Sequence, residues 1–294
     1  MFEIIKMIMV NGLTFGGAYA LLAVGFSLIF GVAKILNIAH TGFYMIIAFL
    51  IFVLSEKLGF PLLLSLMFII PISYVIGISA YKLFFDRIKE HETAVLIISI
   101  GLTILFQEIL LLLGFGSHYR RIRPFVSGFA EIAGIRVSNQ HLFAICAKID
   151  VLTGVWFLLL RTKLGSAIRA VAQDREVANV MGIDVSRICM ITMGLSIVLA
   201  GIAAAIVAPI TTIHPRMWIS PLVTILAVVV LGGLGSIKGS IIAAFILGFA
   251  ETSIIFLVPM GSFLKGAFSL GIMIIILLIR PEGLFGVAFG EERL

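Results

Sequence analysis

Four ionisable residues lie inside otherwise apolar stretches of this 294-residue chain: Glu108, Lys148, Asp150 and Glu251. Such a group facing hydrocarbon costs about 2.5 to 3.5 kcal/mol on insertion scales, so each is a candidate either for ion coupling or for a hydrogen bond to a neighbouring helix. Lys148 and Asp150 are two residues apart. On a helix they point away from each other and cannot neutralise one another as partners three or four apart would, so local irregularity, or a span that begins later, is expected there. His40, with Asn37 and Thr41, forms a polar cluster at the junction of the first two apolar stretches, suited to line a pathway or to sit as a satisfied interfacial histidine. A phosphate cradle is nearly but not actually written at Gly232 to Ser240, GGLGSIKGS: Lys238 follows Ile237 where the pattern GxxxxGK[ST] requires glycine. Neither GxSxG nor HExxH occurs, so any pumping must draw on an ion gradient or on another protein. Cys146 and Cys189 fall in or beside apolar runs and read as small hydrophobes, with no metal spacing.

The elements that position these residues belong to a membrane. Apolar residues make up 61% of the chain, charged ones 12%, and mean hydropathy is +1.23. A water-facing surface of mixed charge cannot be built from that composition, which excludes a soluble enzyme, a nucleic-acid binder and a disulfide-stapled module despite the net charge of +6. Crossing the hydrocarbon core takes about 20 apolar residues in a helix. Charge-free windows of that length are Met7–Ala33, Ile35–Ser55, Leu58–Tyr81, Ile188–Ile213 and Trp218–Ile237. Four more tolerate a charge: Thr93–Gly114, Leu142–Leu160, Ser240–Val258 and Lys265–Ile279. The predicted fold is an all-α polytopic bundle of eight or nine spans, since the continuous runs lack the short alternating segments of a barrel. Ala18-Tyr19-Ala20 imitates a leader cleavage site, but the run continues through it, so the first span is expected to stay. Glycines cluster between Asn11 and Gly42 and between Leu231 and Gly248, as tight helix packing or helix breaks require. Lys and Arg are only slightly more frequent in the loops that are internal when the N-terminus is outside, a weak preference for that orientation.

One long polar interruption carries a helical pattern. In Gly165 to Asp184, GSAIRAVAQDREVANVMGID, apolar Leu164, Ala167, Ile168, Val171 and Ala172 recur at i, i+3, i+4 spacing, with Arg169, Asp174, Arg175 and Glu176 on the polar side. This predicts an amphipathic helix outside the membrane, stopped by Gly182, with Asp184 capping the next helix. Such a helix either lies on lipid headgroups or docks a soluble partner. The acidic Asp174, Glu176 and Asp184 offset the basic charge that lipid would favour.

The chain resembles the permeases of branched-chain amino acid ABC importers, the first of the two permease types in particular. The resemblance runs from Asn11 to Gly286 on GGAYALLAVGFSLIFGV at Gly16 to Val32, NIAH at Asn37 to His40, the Gly165 to Asp184 loop, LGGLGSI at Leu231 to Ile237 and IRPEGLFG at Ile279 to Gly286. It implies a single transmembrane permease domain over residues 1–294 with a cytosolic coupling loop at 162–187, in which Gly165, Arg169, Ala170, Asp174, Glu176, Ala178 and Gly182 face an ATPase subunit. It also implies an N-terminus outside and a C-terminus in the cytosol of a bacterial or archaeal cell, across its cytoplasmic (inner) membrane. The working unit would hold two permeases, identical or different, two ABC ATPases and an extracytoplasmic solute-binding protein. ATP would be used by the partner, and this chain would bind no cofactor and carry no catalytic residue. Thr41-Gly42 departs from the glycine and acidic residue that commonly follow NIAH, and Lys238 stands where the family usually has an uncharged residue.

The function expected is translocation of branched-chain or related amino acids by alternating access, driven by the separate ATPase, along a pathway that includes Asn37, His40, Thr41, Gly232, Gly233 and Glu251. Urea, short amides or another small polar solute are the alternative cargo. A self-sufficient ion-coupled carrier using Glu108, Glu251 or the Lys148 and Asp150 pair, and a scaffold without transport, are the rival classes.

Overall fold

The structure, a computed structural model, describes residues 2–89, 91–116, 118–132 and 134–286. The helices are α1 (Phe2–Ala33), α2 (His40–Phe52), α3 (Leu62–Ala80), α4 (Glu92–Leu110), α5 (Asn139–Arg161), α6 (Lys163–Gln173), α7 (Arg175–Val180), α8 (Val185–Val207), α9 (Ile219–Gly232), α10 (Ile237–Leu257) and α11 (Gly261–Ile279). Wide π-type turns extend α2 to Lys57, α3 to Phe85 and α4 to Phe115. Eight helices among the described residues are long and apolar enough to cross a membrane.

The ninth predicted window behaves differently. Trp218–Ile237 yields only the 14-residue α9, about 21 Å long and short of a full hydrocarbon core. Gly233, at φ +96°, ends it. A charge-free run measures how long the chain stays apolar, not how long it stays helical. The same distinction shortens Ile35–Ser55. After Ala33 the backbone turns through Lys34 at φ +51°, Ile35, Asn37 and Ala39 are buried outside any helix, and α2 starts only at His40.

Two further expectations are corrected. The Lys148 and Asp150 region is no irregularity: α5 runs unbroken and begins earlier than the predicted window. Opposite faces accommodate the two charges, Lys148 inside the bundle and Asp150 exposed. The predicted single amphipathic helix is two helices, α6 and α7, parted where Asp174 takes an extended conformation. The helical bundle is as predicted, with one short antiparallel hairpin, β1 (Phe129–Ile132) and β2 (Ile135–Ser138), in the connection between α4 and α5.

Helices α1, α8 and α2 make the interior, with α10 packed against α1, and most of α1 from Gly16 onward is buried. Small residues allow this. A Cβ on Gly248 would lie 2.4 Å from the Gly16 Cα, and one on Gly77 would lie 2.8 Å from the Gly194 Cα, so α1 meets α10 and α3 meets α8 backbone to backbone. The outer helices α3, α4, α5 and α11 instead expose large apolar side chains such as Leu63, Leu112, Phe157 and Leu278, the surface a lipid-solvated bundle requires.

Candidate functional site: a docking end and an interior polar line

The segment between α5 and α8 is fastened to the ends of two spans. Thr162 ends α5 and caps α6, its Oγ1 accepting from Gly165 N at 3.0 Å. The reversal is so tight that a Cβ on Gly165 would lie 2.3 Å from Leu158 O, which is why glycine stands there. The exposed C-terminal carbonyls of a helix attract cationic donors. Arg169 Nη1 donates to Leu159 O of α5 at 2.7 Å, and Arg175 donates through Nε and Nη2 to Val32 O of α1 at 3.0 and 2.8 Å. Ile168, Val171 and Ala178 are buried beneath, as the periodicity predicted for the first two.

Asp174 is spent locally, its Oδ1 accepting from Glu176 N and Val177 N at 2.8 and 2.9 Å to cap α7. Gly182, at φ +83°, stops α7, and Asp184 caps α8 by accepting from Arg187 N at 2.9 Å, both as predicted. Ala170 is half-buried and Glu176 exposed. The outward face carries three apolar residues that the motif reading passed over: Val177, Val180 and Met181, up to 86% exposed. Their i, i+3, i+4 spacing was the available signal. Beside this end, the Lys89 ammonium donates to Asp86 at 2.8 Å and holds its carboxyl below the usual carboxylate range, while Ser186 of α8 donates to the same carboxylate.

Gly232 and Gly233 sit at this docking end and not beside His40. A Cβ on Gly232 would lie 2.5 Å from the Gly239 backbone, and one on Gly233 would lie 2.5 Å from Gly286 N. Leu284 N and Phe285 N donate to Leu231 O and Gly232 O at 2.8 and 3.2 Å. Thus LGGLGSI and IRPEGLFG, two separate motifs in the sequence, are one structural unit that satisfies the end of α9. Ser236 caps α10 by accepting from Gly239 N, and Lys238 lies over the Trp156 ring, 5.6 Å from its centroid.

Inside the bundle, α2 begins beside Gly25, eight residues from the end of α1 and so about 12 Å in from it. Ser196 Oγ donates to Gly25 O at 2.7 Å and lies 3.3 Å from His40 Nδ1. Asn37 reaches Met193 Sδ at 3.7 Å. Asn37 Oδ1, His40 Nε2 and Thr41 Oγ1 are all buried without a hydrogen-bond partner among the described residues. Three spare polar valences at the start of one broken helix are unusual, because buried polar groups are nearly always paired.

Glu251 stands about 9 Å further along α1, beside Tyr19. Its Oε2 accepts from Tyr19 at 2.7 Å, and its Oε1 from Thr224 at 2.9 Å and Ser269 at 2.5 Å, joining α1, α9, α10 and α11. Lys148 Nζ donates to Thr14 O at 2.6 Å, against Gly17. Glu108 is exposed at the rim, next to Gln107, which accepts from Trp218. Above Tyr19 a cavity of about 200 Å³ opens between α1, α2, α11 and the 208–218 segment. His214 in its wall is held below the ordinary imidazole value by burial and by Arg216.

A bundle of eight long apolar helices with a polar two-helix segment between two of them is the architecture of a membrane permease. The family described as "Branched-chain amino acid transport system / permease component" matches residues 8–277, and the chain belongs to it. It is 29% identical over 295 residues to the high-affinity branched-chain amino acid transport permease BraD of Pseudomonas aeruginosa, covering 95% of this chain and 94% of BraD. It is 27% identical over 293 residues, with the same coverage, to the permease LivH of Escherichia coli K12. Among solved structures, PsaBC from Streptococcus pneumoniae in complex with Fab shares the fold with a TM-score of 0.53 at 14% identity, over 96% of this chain and 97% of that one.

Proposed function

We propose that this chain is one permease of an importer for branched-chain amino acids, alternating between two packings of its bundle under the control of a separate cytosolic ABC ATPase. The reading takes residues 1–294 as one permease domain and 162–187 as its coupling part. The observation that carries it is the docking segment, pinned to α1 and α5 by Arg175 and Arg169 with Val177, Val180 and Met181 turned outward. Apolar residues so exposed need a covering partner. Movement of that partner would pass directly to the two span ends the arginines hold. In this orientation the docking end is cytosolic, the N-terminus outside and the membrane the cytoplasmic (inner) membrane of a prokaryote; residues 287–294 at the C-terminus lie outside the described ones.

Asn37, His40 and Thr41 are the pathway residues in this reading, because their spare hydrogen-bond valences can receive a solute when the bundle opens. A second permease, of the same or a different sequence, completes the passage, and a solute-binding protein delivers cargo to the outer face. ATP stays with the partner, and the chain itself performs no catalysis. Glu251 speaks against a self-sufficient ion-coupled carrier, since it already accepts three hydroxyl hydrogen bonds.

The test is affinity purification of the tagged chain from its host membrane in mild detergent, with uptake of L-leucine measured in parallel. An ABC ATPase travels with the wild type and is lost, with uptake, in Val180→Asp/Met181→Asp. Accumulation of leucine by vesicles containing this chain alone would overturn the proposal.

A further inference from the structure

The cavity above Tyr19 has the chemistry of a receiving site for a small zwitterion. Its rim carries Arg216, from the segment between α8 and α9, and Lys265 of α11. Neither cation forms an ion pair among the described residues. Two unneutralised cations converging on one small concavity favour an anion there. Phe15, Leu22 and Met217 supply apolar wall, while Thr211, Thr212 and Ser220 supply hydroxyls.

The opposite pole lies on the inward side. Tyr19 lines the cavity and donates to Glu251, whose other two donors continue the same helix faces one turn deeper. Thr224 follows Ser220 by four residues on α9, and Ser269 follows Lys265 by four on α11. The rim is therefore cationic, and the floor ends in the Tyr19 hydroxyl, whose proton is held by the Glu251 carboxylate behind it. The cavity also adjoins the unpartnered cluster: Tyr44 in its wall is one turn of α2 from His40, and Leu22 is one turn of α1 from Gly25 and Phe26, which pack on His40. Concave sites with apolar walls and a few convergent polar groups are the usual form of small-molecule sites.

We propose that this cavity is the entry subsite for an α-amino acid, with Arg216 and Lys265 holding the carboxylate, the apolar wall taking the side chain and the ammonium directed toward the Tyr19 hydroxyl oxygen, whose own proton is engaged by Glu251 behind it. The proposal rests on the transport reading above and deepens it: recognition of the amino acid begins in the permease itself.

The experiment uses the full chain with Thr212→Cys and Cys146→Ser, in phosphatidylcholine nanodiscs, and follows labelling by a membrane-impermeant methanethiosulfonate. L-Leucine is the probe, beside 4-methylpentanoate, which lacks the ammonium, and leucinamide, which lacks the carboxylate. At ten times its dissociation constant leucine slows labelling about tenfold; 4-methylpentanoate protects at higher concentration and leucinamide does not. Arg216→Gln and Lys265→Gln abolish protection, Arg216→Lys retains part of it, and Arg121→Gln, an exposed cation outside the cavity, leaves it intact. Thermal midpoints of the variants show that each is folded.

Protection by leucinamide equal to that by leucine would overturn the carboxylate site. So would slowing by added phosphatidylglycerol with no effect of any amino acid, which would make the cavity a headgroup seat. Protection by serine or glutamate but not leucine upholds the site and defeats the branched-chain reading. Protection by urea or acetamide alone defeats both.

Discussion

Two polar clusters lie inside this bundle, and they differ in how completely they are satisfied. Glu251 accepts three hydroxyl hydrogen bonds from α1, α9 and α11, whereas the start of α2 leaves Asn37 Oδ1, His40 Nε2 and Thr41 Oγ1 without hydrogen-bond partners among the described residues. A saturated buried carboxylate has its interactions inside the protein and acts as a tie between helices. A group with unused valence is costly in a closed state and gains when a solute or a rearranged helix reaches it. An ionisable residue in a span therefore does not by itself mark the working site; the balance of its hydrogen bonds does.

The contrast can be broken by substitution. The largest effect is expected at Glu251→Ala, which leaves three donors facing a void and should destabilise the protein by about 3–5 kcal/mol, read as the unfolding midpoint in detergent. Glu251→Gln, which keeps an acceptor, should fold and retain leucine uptake, and complete loss of uptake in that variant would place Glu251 with the pathway residues instead. His40→Ala should do the reverse. Its stability should fall by less than that of Glu251→Ala, about 1–2 kcal/mol, because the buried ring gives up its packing on Gly25 and Phe26 and one weak hydrogen bond, while uptake falls by about tenfold, the equivalent of ~1.4 kcal/mol in the barrier.

Lys148 sharpens the comparison from a third position, buried with a helix carbonyl as its hydrogen-bond acceptor and no carboxylate partner among the described residues. A buried amine with a single hydrogen bond carries a desolvation cost that an apolar residue of similar volume does not, so Lys148→Met should raise the unfolding midpoint, by about 1 kcal/mol in stability. The smallest effect is beside the segment between α5 and α8. Asp86→Asn should cost about 0.5 kcal/mol, as exposed pairs do. Lys89 lowers the folded-state pKa of Asp86, so the contribution is present above the unfolded carboxylate pKa and disappears as pH falls through the folded value. A thermal midpoint measured against pH in wild type and variant should converge in acid.

Much of the local structure between α5 and α8 was legible beforehand because its signals are local. Gly182 stops a helix through its own φ, Asp184 caps through its own side chain, and Ile168 and Val171 are buried by helical spacing. The break at Asp174 was missed because an acidic residue within a helical pattern reads equally as a polar-face residue and as a cap. Gly232 and Gly233 were placed in the pathway from composition, while their contact with residues 284–286 joins segments some fifty residues apart and has no signature in either.

By itself, the chain's composition determined the solvent, since no arrangement of so few charges can face water. Its apolar runs determined the approximate set of spans, because satisfying backbone groups in lipid is a property of each segment alone. Only the tertiary structure decided where α2 and α9 stop being helices, which face of α5 carries its charge inward, and which of the interior polar groups are satisfied. Those outcomes depend on what a distant segment brings within hydrogen-bond reach, and a linear pattern holds no record of it.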